Sequence, residues 1–445
     1  MPLPSEAPPA PSGRGPRPPT RPVPLPRPTL RLATLLATAT LTACASDAGG
    51  DAIDGDAGLD AGTDVGADTA NDATTDAGAP ALADRVYGDF TPWADPLADY
   101  HEAAGAVFDA FMRGVHDLAV FDDAMWIAYG DANVNVGREV PVEIRRFGAP
   151  DDPVPESVFT TDEEQIERFR VVGDLLLAPG VDATEDAWLG NVYALPTGGS
   201  WAKHRTVPEG VHVHDVAGWD GALWAVGSGS EPDEWDAGTI YAQLWTSTDD
   251  ARTWDVVGQR SNDGDGDARW VHLLPTDDAL WLFGYGSDAM GSIDEIGNAT
   301  WDGASWSGLP ADHPLAAVFV VGTWPVPGGG LVAGVDATTD PLRTATWFVA
   351  DSGDVARIGD LDGRTLRDAF VDGDDVALVT TEGDLWGVAP ANGRWAVRTW
   401  AWHPDAVVEL TRGTMDAEPR AIAVWDDLLF IADADGGVAR ALPLP

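Results

Sequence analysis

The chain has 445 residues, with 26 Lys+Arg against 73 Asp+Glu, a formal net charge of −47 and a single Cys. One cysteine excludes an intrachain disulfide and zinc sites built on several thiolates, and the acidity excludes a nucleic-acid binder, which needs Lys and Arg to displace counterions. With 44% hydrophobic residues and 20 Trp, the chain is too apolar for wholesale disorder and long enough to bury a sizeable core.

Residues 1–31 are rich in Pro and carry Arg14, Arg17, Arg21, Arg27 and Arg31, with Glu6 as the only acid. An apolar run from Leu32 to Ala43 follows and ends at Cys44. A positive n-region, an h-region too short to span a bilayer and small residues at its end are the pattern of an export signal over 1–43. Leu41-Thr42-Ala43-Cys44 resembles a bacterial lipobox. That resemblance implies that Cys44 becomes the acylated first residue of the mature protein, with the lipid bilayer as its partner. Ala45, rather than Asp, after the Cys implies the outer membrane or cell surface.

Residues 44–83 are expected to form a disordered acidic tether. After Cys44 they are mostly Asp, Ala, Gly and Thr, with nine Asp and no basic residue. Such a segment has too little apolar surface to offset its ordering entropy. Residues 84–115 read as an entry strand within 84–93, then a short helix over 97–112, where Leu97, Tyr100, Ala104, Val107, Phe108 and Phe111 recur at helical spacing.

From 116 to 445 the sequence repeats. His116-Asp-Leu-Ala-Val-Phe-Asp-Asp-Ala-Met-Trp126, His214-Asp-Val-Ala-Gly-Trp-Asp-Gly-Ala-Leu-Trp224 and Val271-His-Leu-Leu-Pro-Thr-Asp-Asp-Ala-Leu-Trp281 are copies of one unit. Weaker copies start near 167, 322, 368 and 420. Each is a strand, a two-residue Asp-Asp or Asp-Gly turn and a second strand, followed by another hairpin. Four strands per roughly 50 residues is the signature of propeller blades, so the expected fold is an all-β, seven-bladed β-propeller, with six or eight blades as the alternatives. The last unit is short, and the entry strand is expected to complete it. The uncharged segment 314–335 holds three Pro and five Gly and reads as two strands around Gly328-Gly329-Gly330, not as a membrane span.

Leu244-Trp-Thr-Ser-Thr-Asp-Asp-Ala-Arg-Thr-Trp254 resembles the Asp-box of the BNR, sialidase-like propellers, Ser-x-Asp-x-Gly-x-Thr-Trp. Ser247, Asp249, Thr253 and Trp254 match, and Ala251 stands where the family has Gly. The resemblance implies a structural turn between the third and fourth strands of a blade. The family's catalytic set is not recognisable: there is no Arg-Ile-Pro in the first unit, and Arg168, Arg205, Arg252 and Arg269 do not map onto its arginine triad.

Alignment of the units on the second-strand Trp places His116, Glu167, His214, Val271, Gly322, Asp368 and Arg420 at one position, expected to ring the mouth of a central channel. Two positions later come Leu118, Phe169, Val216, Leu273, Trp324, Phe370 and Ile422, an apolar shaft below a polar rim. The candidate binding residues are therefore His116, Glu167, His214, Asp368 and Arg420. Histidines beside acids suit metal binding or proton transfer, while His116-Asp117 and His214-Asp215 equally suit local caps of strand ends. Asp263, Asp265 and Asp267 resemble the start of a calcium loop, but Leu274 occupies the twelfth position, so an EF-hand fails and a solvated turn competes with a simpler Ca²⁺ site. No cofactor motif is present, and Ca²⁺ is the only ion the pattern suggests. The expected function is that of a membrane-anchored binding or scaffolding module for glycans, peptides or envelope proteins. The alternative is a divergent sialidase-like glycosidase or other hydrolase at the channel mouth.

Overall fold

The structure is a computed structural model that describes residues 81–104, 114–130, 140–185, 189–231, 240–262, 266–288, 292–339, 342–382, 393–404 and 406–444. The export signal, Cys44, the tether up to residue 80 and the second half of the expected helix lie outside the described residues. Near the start of the described residues lies a 3-10 turn, Leu82–Asp84, whose Leu82 is 3% exposed and belongs to the same core cluster as Tyr87, so tether positions 82 and 83 are part of the folded unit. The helix α1 spans Ala98–Ala104 and buries Tyr100 and Ala104. No helix among the described residues is long and apolar enough to cross a membrane.

Two-residue turns fold consecutive strands into antiparallel meanders. Val115–Phe121, Ala124–Tyr129, Glu143–Phe147 and Glu156–Thr160 form one sheet. Val318–Val326, Gly329–Asp336, Arg343–Ala350 and Val355–Arg357 form another, matching the two strands expected around Gly328. Arg364–Asp372, Asp375–Glu382, Trp395–His403 and Ala406–Met415 form a third. Ala268–Pro275 and Leu280–Ser287 continue into Ala299–Trp301 and Trp306–Gly308, with Ile293–Ile296 alongside. A nine-stranded sheet holds two meanders, one from Arg170 to Pro208 and one from Gly210 to Arg260, with a join where His212 pairs with Val181. Finally, Pro419–Trp425, Leu428–Asp433 and Val438–Ala441 take Thr91–Ala94 as their fourth strand, the closure expected from the sequence. From Arg170–Val172 round to Pro419–Trp425 the first strand of each meander lies beside that of the next, Pro419–Trp425 returns to Val115–Phe121, and Ala124–Tyr129 meets Glu163–Ile166, which gives a β-propeller arrangement.

The repeated residues have repeated physical jobs. Asp122 and Asp123 both adopt positive φ, as do Asp220 and Gly221 and then Asp426 and Asp427, the geometry of a type I′ hairpin turn. Trp126 Nε1 donates to Phe121 O at 3.0 Å and Trp224 Nε1 to Trp219 O at 2.9 Å, so each indole latches back onto the end of the first strand while its rings fill the space between sheets. The largest wholly buried side chains include Trp245, Trp270, Tyr129 and Tyr193.

One irregularity recurs in six first strands and just ahead of the seventh: an extra residue opposite the second strand. It is His116, His214, Val271, Val321, Arg367 and Arg420 in six meanders. In the remaining one, residues 167–169 stand opposite 178–179. This corrects two equivalences drawn from sequence. Val321, not Gly322, and Arg367, not Asp368, correspond to His116, and the positions two further on are Thr323 and Ala369 instead of Trp324 and Phe370. The slip arose in the two units where Leu331 and Ala377 replace the marker Trp, which left the register without an anchor.

Candidate functional site

The first strands enclose a central cavity of about 750 Å³. His116, Glu167, His214, Asp368 and Arg420, all five candidates read from the sequence, line it. Four of them belong to the bulged positions, whose extra residue tips a side chain toward the channel. Asp368 sits one residue deeper and has another job. Its Oδ2 accepts the backbone N–H of Ile422 in the neighbouring sheet at 2.8 Å, and its Oδ1 accepts Trp324 Nε1 at 2.7 Å.

Asp117 and Asp215 occupy the same position in their own strands and do the same work. Asp117 Oδ2 accepts Phe169 N at 2.6 Å, and Asp215 Oδ2 accepts Leu273 N at 3.0 Å. These carboxylates clasp one first strand to another. The acids thus reach between sheets, and local bonds of the kind read for the His-Asp pairs are present beside them, with Asp215 Oδ1 accepting Val216 N at 2.9 Å. His116 Nε2 instead meets Gly130 O at 2.9 Å.

The shaft below the rim is charged as well as apolar. Asp215, with no exposed surface, bonds Arg170 Nε and Nη2 at 2.9 Å each and Arg168 Nη1 at 3.2 Å. Burial drives its pKa up, but the two guanidinium groups outweigh that and hold it at about 2. Arg170 Nη2 also donates to Thr323 O at 3.0 Å, a tie across the channel. At the rim, Glu418 pairs with Arg367 at 2.5 Å and Arg420 at 3.6 Å. Burial and then the charge of Asp117 push Asp368 up to about 7, and burial likewise raises Asp117. Of the apolar positions read from the sequence, Leu118, Phe169, Trp324 and Phe370 border the cavity, whereas Val216, Leu273 and Ile422 are buried in the sheets and do not line it; Val120, Val171, Pro325 and Val371 complete its apolar wall.

Three histidines converge on one side. The rings of His212 and His214 stack with centroids 5.6 Å apart, and His272 lines the same cavity. His212 Nδ1 is 2.9 Å from Ser228 Oγ, whereas neither nitrogen of His214, nor Nδ1 of His272, has a partner. Burial, reinforced by Arg269, lowers His214 to about 3, and burial places His212 and His272 well below 6.5, so all three rings are neutral near pH 7. Burial and the nearby Arg420 bring His116 down to about 4.

Sequence reasoning missed His212, His272, Arg170, Arg367 and Glu418. The signal for His212 was present, since His212-x-His214 has the spacing of one strand face; Arg367 was hidden by the register slip. Arg205 lies away from the cavity and pairs with Glu185. In the turn at 247–254, Asp249 Oδ1 accepts Ser247 Oγ and Thr253 N at 2.9 Å each, Oδ2 accepts Thr253 Oγ1 at 2.7 Å, and Trp254 is buried. Ala251 there has φ +67°, the conformation that glycine adopts most readily. Asp263 and Asp265 lie outside the described residues, and Asp267 faces Arg269 at 3.5 Å. Among the described residues no group of three or more His, Cys, Asp or Glu side chains is placed to hold a metal ion.

No protein-family model matches the sequence, and no curated protein matches it. Among solved structures, virginiamycin B lyase from Staphylococcus aureus, crystallised in a catalytically inactive form with quinupristin, aligns at 12% identity and a TM-score of 0.41, covering 76% of this chain and 97% of that one. The polysaccharide lyase Uly1 aligns at 8% identity and 0.44, covering 82% and 98%. The computationally designed Ika8 protein aligns at 11% identity and 0.40, covering 75% and 97%.

Proposed function

We propose that the chain is an exported lipoprotein, anchored at the outer membrane or cell surface through acylated Cys44, whose propeller binds a ligand in its central cavity. In this reading the nine-stranded sheet counts as two blades and the ring as seven, and the turn at Ser247–Trp254 is an Asp-box of the BNR type serving the fold. The observation that carries the binding role is the cavity itself. It is lined by polar side chains, of which His214 and single nitrogens of His272 and Arg168 have no protein partner, inside a ring whose own carboxylates are largely occupied in holding the blades together. A glycan, a peptide or a segment of an envelope protein fits its size and mixed lining.

Val271 sits at the rim, so Val271→Trp places an indole across the mouth. A ligand selected from glycan and peptide libraries by the full chain is expected to lose at least tenfold in affinity to this variant. Unchanged binding overturns the channel reading. The hydrolase alternative is favoured by Asp368, an acid pushed up to about 7 beside a second buried carboxyl. Turnover of fluorogenic glycosides abolished by His214→Ala or Glu167→Ala would install that reading in place of binding alone. Cys44→Ala is expected to move the protein from the membrane to the soluble fraction, and unchanged fractionation refutes the anchor.

A further inference from the structure

We infer that the cavity takes a neutral, hydroxyl-rich glycan, held by the histidines at 212, 214 and 272 and stacked on Trp324. This deepens the channel-binding reading and rests on it.

The arginines of the cavity are already answered. Arg168 and Arg170 meet Asp215, Arg367 and Arg420 meet Glu418, and Arg269, beside the histidines, faces Asp267 at 3.5 Å. A carboxylate or phosphate entering the channel would have to displace these carboxylates, against the field of a protein with net charge −47. What remains without a partner is three nitrogens on neutral rings, both of His214 and Nδ1 of His272, and one N–H, Nε of Arg168, on a guanidinium whose charge Asp215 already balances. His214 is only 8% exposed, and a buried polar atom left unbonded is costly.

A neutral imidazole offers one donor and one acceptor. So does a hydroxyl group, and a run of adjacent hydroxyls matches a row of such rings in a way that a single charged group does not. His214 meets the cavity through carbon as the ring stands. A half-turn about Cβ–Cγ leaves the ring's shape unchanged and carries its nitrogens to the positions of Cδ2 and Cε1. His212 is fixed by Ser228 at Nδ1, so its Nε2 is the atom available to a guest.

Sugars also present C–H faces that pack on aromatic rings. Trp324 lines the cavity, half-buried, and its indole is held in place by the bond from Nε1 to Asp368. Phe169, Tyr285, Phe319 and Phe370 border the same space. Fixed aromatic faces beside donor–acceptor pairs bind a pyranose with little ordering of the site.

The test is calorimetry of the detergent-extracted full chain against three probe sets. These are neutral hexasaccharides (chitohexaose, xylohexaose, mannohexaose and laminarihexaose), acidic oligosaccharides (trigalacturonate and sialyllactose) and a pooled hexapeptide library. Binding of at least one neutral hexasaccharide is expected, weakened tenfold or more by His214→Phe, which keeps a buried ring without nitrogens. His272→Gln and Trp324→Leu are expected to do the same, so a single variant that fails to fold leaves the question decidable. Acidic probes or peptides bound alone, in competition with Val271→Trp, overturn the glycan class and leave the channel reading intact. Neutral glycans bound equally by Val271→Trp and the His214 and Trp324 variants overturn both. Failure of every neutral hexasaccharide to bind overturns the inference.

Discussion

At the scale of single residues, Asp215 carries the interior of the ring. One buried carboxylate neutralises two half-buried guanidinium groups and clasps the backbone of a neighbouring strand. Asp215→Asn keeps the shape and an acceptor for Leu273 N but leaves Arg168 and Arg170 short of a counter-charge. Breaking a buried pair from one side is strongly unfavourable, so the variant is expected to lose about 3 kcal/mol or more in urea unfolding. Glu163 is the opposite case. It is fully buried, accepts from Asn191 and Tyr193 at Oε1, and leaves Oε2 without a partner. Burial pushes its pKa from 4.5 to about 8. A raised acid binds its proton more tightly in the folded chain, so this group's contribution is fullest below pH 4.5 and declines as pH climbs through about 8. Glu163→Gln, which resembles the protonated acid, is expected to come close to the parent near pH 5 and to exceed it by roughly 4 kcal/mol at pH 9. Equal pH profiles in thermal unfolding would contradict the buried, protonated state.

At the scale of elements, the hairpins and bulges show what a sequence can and cannot disclose. The two-residue Asp turns and the second-strand Trp were legible because each is a local device: a turn that needs positive φ and an indole that reaches back five residues. The closing strand was legible because the last unit ran short of residues. The bulge was not, since its definition lies in the pairing of two strands and not in either one. Without a Trp to count from, Val321 and Arg367 were displaced by a single residue, enough to exchange a rim side chain for a clasp. The histidine wall depended on the same geometry, because His272 joins His212 and His214 only once two different sheets are brought side by side. A turn prediction follows from the internal comparison. Asp123 has φ +58°, where the equivalent position in another unit is Gly221. Asp123→Gly is expected to raise stability by about 0.5 kcal/mol, read as a higher urea midpoint, and a lower midpoint would argue against the left-handed turn.

At the scale of the whole molecule, charge and closure dominate. A net charge of −47 means that folding gathers mutually repelling carboxylates onto one surface. Raising NaCl from about 10 mM to about 0.5 M shortens the screening length several-fold, so the melting temperature is expected to rise by a few degrees. A fall would show that attractive ion pairs, such as Lys203 with Asp162 and Glu185, outweigh the repulsion.

Closure has a consequence in time. Thr91–Ala94 pairs with Val438–Ala441, and ahead of it Gly88 N donates to Leu442 O while Leu444 N donates to Val86 O. Thr91–Ala94 thus finds its partner only when a strand some 345 residues further along the chain is in place. Until then the ring stands as an open arc with both edges bare. A chain cut short of Val438 can build most of its sheets and never join them, and such a copy betrays itself by the edge it cannot cover.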